Sequence, residues 1–466
     1  MTSGEARPRL SHAWASTFTA NVAIMLCGVA TGVVTARVLL PEGRGAIAAI
    51  MLWPQLLAEV GLFGIHEALT QRISSGKQAQ EQTLSTALVL SAGLSAAAAL
   101  LGYFLAPALL GHDRAQLVGL ARLYTAIVVP VSGLTLALYG FDHGRLQFGR
   151  YNLSRVLMPS AYAMALVILW ASGAARLGTI LAASVGASIV GLCAAVYFVR
   201  RSLRFACAWR EVPALLTLAW RFNVTAGLLM VSTQAERIIV VRFWDNRAVG
   251  LYFVALTVSA TAAKALAHSI HTVMFPNMAR QPGAAAQRAY LARGLRYTVL
   301  LAGSCTLALI LCCSWMVPAV FGREFSAAVN ITAVLVLAQF PNTLRQVAIR
   351  ALRGLGEGRP GSIAEALAGG VFLLLAGPLS MAAGLSGIAW AVFAGNVCSL
   401  MYVAVYLRKR LGLDPRDWWG LDRRTVVDIA SYGRALLKSR SPVNSGKTHA
   451  NRSPLQRFPR LRSRVG

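Results

Sequence analysis

The chain has 466 residues, of which 56% are hydrophobic and only 13% charged, and its formal net charge is +28. A soluble protein of this length carries about a quarter charged residues, so composition excludes an ordinary water-soluble domain. The positive excess gathers in short loops and in the C-terminal tail, a pattern that suits membrane topology and anionic lipid, and no nucleic-acid partner is expected.

Apolar runs long enough to cross a bilayer recur along the chain. They predict twelve helices near 14–36, 46–70, 84–110, 117–140, 153–172, 177–199, 215–241, 249–275, 295–320, 327–349, 361–382 and 384–407. The first is too long for a signal-peptide core and is followed by further spans, so it is read as a retained helix. Its polar exit is TARVLLPEGRG, Thr35 to Gly45, where Pro41 and Gly43 stop the helix and the charges meet the headgroup layer. Gly28 and Gly32 form a GxxxG in helix 1, and Gly61, Gly64 and Pro54 supply break points in helix 2. Most of the seven cysteines lie inside apolar segments without metal-ligand spacing, so neither disulfides nor a metal site are expected. The SGKT at Ser445–Thr448 lacks the first glycine of a phosphate-binding loop, since Ser441 stands there.

Loops on one side, including those with Arg145, Arg150 and Arg155 or Arg200, Arg201 and Arg204, carry more than twice the basic residues of the loops on the other. The positive-inside rule then places both termini in the cytoplasm and TARVLLPEGRG on the outer face.

A weak repeat is visible. VVRFWDNRAVGLY follows helix 7 as TARVLLPEGRGAI follows helix 1, pairing Arg37 with Arg242 and Gly45 with Gly250. The register superimposes helices 1–6 on helices 7–12 in one orientation, an architecture used by transporters with a substrate path between two lobes. The lobes are expected at 1–200 and 215–407, joined by a cytoplasmic linker at 201–214. A basic, disordered and membrane-associated tail is expected at 408–466. The fold expected is therefore an all-α polytopic membrane protein with two pseudo-symmetric six-helix lobes.

Several ionisable residues interrupt apolar spans: Glu59, Glu236, Arg237, Lys264, His268, Arg345 and Glu365. Each costs about 2.5–3.5 kcal/mol at the bilayer centre on insertion scales, so they should face water or one another, or snorkel where they lie near a helix end. Lys264, His268 and His271 share a helix face, and the repeat pairs Glu59 with Lys264. Lys264, Arg237, Arg345, Arg37 and His268 are the candidates for holding an anionic substrate. Glu59 and Glu236 are the candidates for ion coupling. A structural Glu59–Lys264 or Glu236–Lys264 pair is the competing reading. No catalytic constellation and no cofactor site is seen.

The motifs TARVLLPEGRGAIAAI, GRLQFGRYNLSR, AVGLYFVA and VMFPNMAR occur in the order and spacing of a known family. Over roughly residues 14–407 the chain resembles the polysaccharide transporters, of the O-antigen flippase type, of the multidrug/oligosaccharidyl-lipid/polysaccharide (MOP) superfamily. The resemblance implies a non-enzymatic flippase of the bacterial inner membrane that moves an undecaprenyl-diphosphate-linked oligosaccharide to the periplasmic leaflet by alternating access. It implies membrane lipid as a partner and leaves room for other polysaccharide-assembly proteins. Family members often carry a lone Asp in helix 7 where this chain has Glu236-Arg237. A drug or cation antiporter of the same superfamily is the alternative. A membrane glycosyltransferase or polymerase would need a sizeable periplasmic loop, and every outside loop here is short.

Reporter fusions test the topology. Fusions at Gly43 and Asn246 should report periplasm, and those at Gly76, Gly149 and Gly358 cytoplasm. A periplasmic signal from the C-terminal tail would remove the even span count.

Overall fold

The computed structural model describes residues 10–76, 80–203, 207–261 and 283–419, with the side chains of 10–15, 112–113, 221–233 and 284 left aside. Its main helices, in chain order, are α1 (Leu10–Gly61), α2 (Ile65–Ser74), α3 (Gln80–Leu110), α4 (Val118–Gly144), α5 (Phe148–Ala171), α6 (Leu177–Val199) and α7 (Val212–Phe243). Then follow α8, whose described part is 246–261, and α9 (Gly283–Phe321), α10 (Ala328–Gly354), α11 (Arg359–Leu411) and α12 (Arg416–Trp419). Every regular element among the described residues is helical, and the protein is a polytopic all-α membrane protein. Seven of these helical segments are long and apolar enough to cross a membrane.

Two helices hold two spans each. α1 breaks at Leu40 (φ 58°, ψ 180°). Pro41 forces its predecessor out of the helical region, and then serves as a good first residue for the next limb. Val34 of the first limb and Ile47 and Met51 of the second share one apolar cluster. A straight helix would hold Val34 and Met51 roughly 25 Å apart, so the limbs fold back on one another. α11 breaks at Ala383 and Gly384, the latter at φ 58°, ψ −136°, a conformation essentially reserved for glycine. Beyond it Gly387 lies against Leu379, Gly395 against Ala368, and Ser399 bonds the Ala364 carbonyl. Each step down one limb is a step up the other. With these limbs counted, each predicted span finds its helix, although the far part of helix 8 lies outside the described residues. Helix 2 ends early: α1 stops at Gly61, and Phe63 (φ 49°) and Gly64 (φ 76°) turn the chain into α2. Pro54 stays inside the helix.

Helices α1 to α6 pack among themselves, α9, α10 and α11 form a second set, and α7 packs on α11 as well as on α1, α2 and α3. The two sets carry the same punctuation. Gly111 (φ 81°) ends α3 and Gly322 (φ 114°) follows α9, each opening a short 3-10 turn before the next helix. The sets meet at the glycine pair that the repeat register matched. A Cβ on Gly45 would overlap the Asn246 carbonyl and crowd the Gly250 nitrogen, and a Cβ on Gly250 would overlap the Pro41 carbonyl. Since Pro41 and Asn246 are also mates in that register, the contact is reciprocal, as a two-fold requires. Of the GxxxG pair, Gly32 packs on Thr257 of α8 while Gly28 faces open space.

The expected tail starts later than its composition suggested. α11 continues to Leu411 and α12 docks beneath α9. Leu413 and Trp418 are buried with Leu291, Leu295 and Leu407, because these apolar residues among the arginines have a core to join. Arg288 donates to Asp417 at 2.9 Å and holds that carboxyl below its usual range. The rest of the tail, from 420 onward and including SGKT, lies outside the described residues.

The glycine junction yields a stability test. Gly45→Ala or Gly250→Ala should each destabilise the purified protein by about 1–3 kcal/mol or more through overpacking, read as a lowered midpoint of thermal unfolding. Gly28→Ala, with no atom nearby, is the control and should leave the midpoint unchanged.

Candidate functional site

Arginines from both repeat halves gather around the glycine junction, and their partners are main-chain carbonyls. A helix C-terminus leaves its last carbonyls unpaired and carries partial negative charge. Arg37 supplies donors to α9 in this way, with Nε to Val320 O at 2.8 Å and Nη2 to Ala319 O at 2.5 Å. Arg114 does the same for α7. Its Nη1 reaches Val241 O at 2.6 Å, its Nη2 reaches Trp244 O, and its Nε donates to Asn246 Oδ1 at 2.6 Å. Only 4% of Arg114 is exposed. Arg242, the repeat mate of Arg37, brings its Nη1 beside Gly111 at the end of α3. Each half thus lays an arginine on a helix end of the other.

Further along the same helices lies a second polar group. Glu236 of α7 accepts a hydrogen bond from the Tyr252 hydroxyl of α8 at 3.2 Å. Among the described residues, its neighbour Arg237 has a buried Nε with no hydrogen-bond partner, and the Gln234 Oε1 is likewise buried and unpaired. Glu59, on the second limb of α1, is exposed, and Arg237 is the charged group whose field reaches it. The structure therefore brings Glu59 and Arg237 into electrostatic reach of one another across the two halves, with Glu236 beside Arg237. Lys264, His268 and His271 lie outside the described residues.

Arg345 sits elsewhere. It is 3% exposed and forms an ion pair from Nη1 to Glu365 Oε2 at 2.8 Å. Its Nη2 donates to Asn342 Oδ1 at 2.8 Å, and Gln346 Nε2 donates to Glu365 Oε1 at 2.8 Å. Ser399 of the second α11 limb lies 3.5 Å from Nη1. This network stitches α10 to both limbs of α11. Arg345 neither snorkels nor presents its charge at an open surface.

Sequence reasoning missed Arg114, Tyr252 and Gln234. Arg114 stands in a short loop and reads as one more topology charge; its bonds to Val241, Trp244 and Asn246 depend on where α7 ends. Tyr252 was visible only as part of AVGLYFVA. The buried mates of Arg345 follow from the α11 hairpin, which no local pattern announces.

These features define a class: a helical membrane protein built from two repeat halves with ionisable groups between them. The fold is shared with a lipid II flippase, MurJ, in an inward closed conformation, at TM-score 0.74 and 13% identity over 92% of this chain and 93% of that one. It is shared also with an inward-facing multidrug resistance MATE family transporter of the MOP superfamily, at TM-score 0.66 and 14% identity over 84% and 94%. A MOP superfamily transporter from Pyrococcus furiosus aligns at TM-score 0.51 and 14% identity over 88% and 99%. No curated protein matches the sequence. Residues 34–330 match the polysaccharide biosynthesis protein family, and the chain belongs to that family.

The buried pair gives a double-mutant test. Arg345→Met or Glu365→Gln alone leaves a buried partner stranded and should cost about 3–5 kcal/mol, seen as loss of folded protein on gel filtration in detergent. The double variant should recover most of it. Full stability in both single variants would show that the pair holds nothing together.

Proposed function

We propose that this protein is a flippase for a lipid-linked oligosaccharide, with an undecaprenyl-diphosphate headgroup as the natural substrate class, working in the bacterial inner membrane with both termini cytoplasmic. The lobes are 1–200 and 215–407, and they alternate access by parting and closing around their two-fold. The observation that carries this reading is Arg237, a cation between the halves whose Nε has no partner among the described residues, in a chain of the polysaccharide biosynthesis family. A diphosphate-sugar headgroup cannot cross lipid bare. It needs positive groups along a hydrated path, while its lipid tail stays in the bilayer. A guanidinium binds phosphate oxygens in pairs, and an ammonium serves as a point charge. Arg237 and Lys264 receive the diphosphate, with His268 near them on the α8 face. Glu59 holds the charge of Arg237 or Lys264 when no substrate is bound. Arg37 and Arg345 are bound to main chain and to Glu365 respectively, so they act in this proposal through the helices they tie.

A second reading, a drug or cation antiporter, is favoured by one observation, the carboxylates of Glu59 and Glu236 on the facing halves. It makes them the transport groups and Arg237 their counter-ion.

Complementation of a flippase-deficient strain separates the two, with surface polysaccharide read on gels. Arg237→Ala and Lys264→Ala should each lose at least tenfold in polysaccharide output at unchanged protein level, and Arg237→Lys should keep part, since charge survives while geometry changes. Glu59→Gln should retain transport. Loss of drug or cation efflux in Glu59→Gln, with polysaccharide export unaffected by Arg237→Ala, would hand the result to the antiporter.

A further inference from the structure

Arg44 opens the second limb of α1 and shares a helix face with Ile47 and Met51. Ile47 is fully buried against Leu166 of α5 and Ile180 of α6, with Tyr162 and Met51 packed around them. Arg44 therefore turns into the first six-helix bundle, while Glu42, two residues earlier, is exposed. Among the described residues its Nε is buried without a hydrogen-bond partner and no ion pair includes it, while the side chain as a whole keeps part of its surface exposed. Its electrostatic neighbour is a phenol, Tyr162. Tyr162 in turn neighbours Tyr124, whose hydroxyl shares a 2.9 Å hydrogen bond with Ser184 of α6. A buried guanidinium nitrogen left without an acceptor is costly to keep.

Packing does not require it. The repeat register sets Arg44 opposite Val249, which is fully buried. The spacing of Gly111 to Gly322, which also relates the starts of α5 and α11, sets Tyr124 opposite Leu335 and Tyr162 opposite Leu373. At these mates the second half carries aliphatic side chains, Val249 and Leu335 buried and Leu373 exposed.

We propose that Arg44, Tyr162 and the Tyr124–Ser184 pair form an anion-binding site inside the first half, which takes a phosphate or carboxylate group. The guanidinium offers paired donors to an oxyanion, and the neighbouring Tyr162 phenol adds a neutral one. The group belongs to a free anion or to an acidic lipid headgroup. The site is separate from Arg237 and Lys264 and stands whether or not the flippase reading does.

The test uses the full chain in phosphatidylcholine nanodiscs, in the Arg237→Ala, Lys264→Ala background, titrated with inorganic diphosphate by calorimetry. Saturable binding is expected. Arg44→Val should weaken it at least tenfold and Tyr162→Phe several-fold, in line with the loss of charged and neutral hydrogen bonds. Because valine stands at the mate position, Arg44→Val should keep the unfolding midpoint of its parent. Repeating the titration in phosphatidylglycerol nanodiscs identifies the source: weakened apparent binding in the parent alone assigns the site to lipid headgroups, and unchanged binding assigns it to a free anion. Absence of saturable binding, equal binding by Arg44→Val and Tyr162→Phe, or failure of Arg44→Val to fold would each overturn the site. Export in the complementation assay is not part of this readout, so the two proposals fail separately.

Discussion

Two backbones touch where Gly45 meets Gly250, and the described arrangement of the halves depends on that contact. A side chain at either position would occupy the partner's carbonyl. Because Pro41 and Asn246 complete the contact reciprocally, the two repeats are pinned on a shared axis at one end. The arginines follow from this. Once the halves touch, the C-terminal carbonyls of α7 and α9 lie beside the opposite half, and Arg114 and Arg37 satisfy them. The result is a junction held largely by main-chain acceptors, with the Asn246 side chain added. Such bonds do not depend on the protonation of an acid.

Charge within the apolar spans is handled in three ways. Arg345 is neutralised inside one half by Glu365 and fixed by Asn342 and Ser399, so its contribution is structural cohesion at the cost of desolvation. Arg37 and Arg114 neutralise helix ends. Arg237, Glu236 and Glu59 remain between the halves, where opposite signs face each other across a boundary. A boundary of that kind is where a change in spacing alters charge compensation, and it is the place a charged cargo would act.

The halves are alike in backbone and unlike in polarity. Arg44, Tyr124 and Tyr162 sit in the first half at positions that are valine and leucine in the second, while the Arg345–Glu365 network lies in the second.

Much was legible in the sequence, because a bilayer imposes length and apolarity on every span and loop charge imposes direction. Spans appear as runs, and Pro41 appears as a break, through local chemistry alone. The register pairing Gly45 with Gly250 was readable too, since a backbone contact tolerates no other residue. Tertiary structure alone decided which charges meet. Arg237 is the described charge that reaches Glu59, a meeting of α1 with α7 that neither segment announces, while Lys264, its mate in the repeat, lies outside the described residues. Arg345 read as a possible cavity cation, and the α11 hairpin folded Glu365 and Ser399 around it. The tail looked uniformly basic, but Leu413 and Trp418 dock because α9 offers them an apolar face. Periodicity and loop charge are properties of a segment and can be read along it, whereas a salt bridge or an orphaned donor belongs to segments brought together, and only folding brings them there.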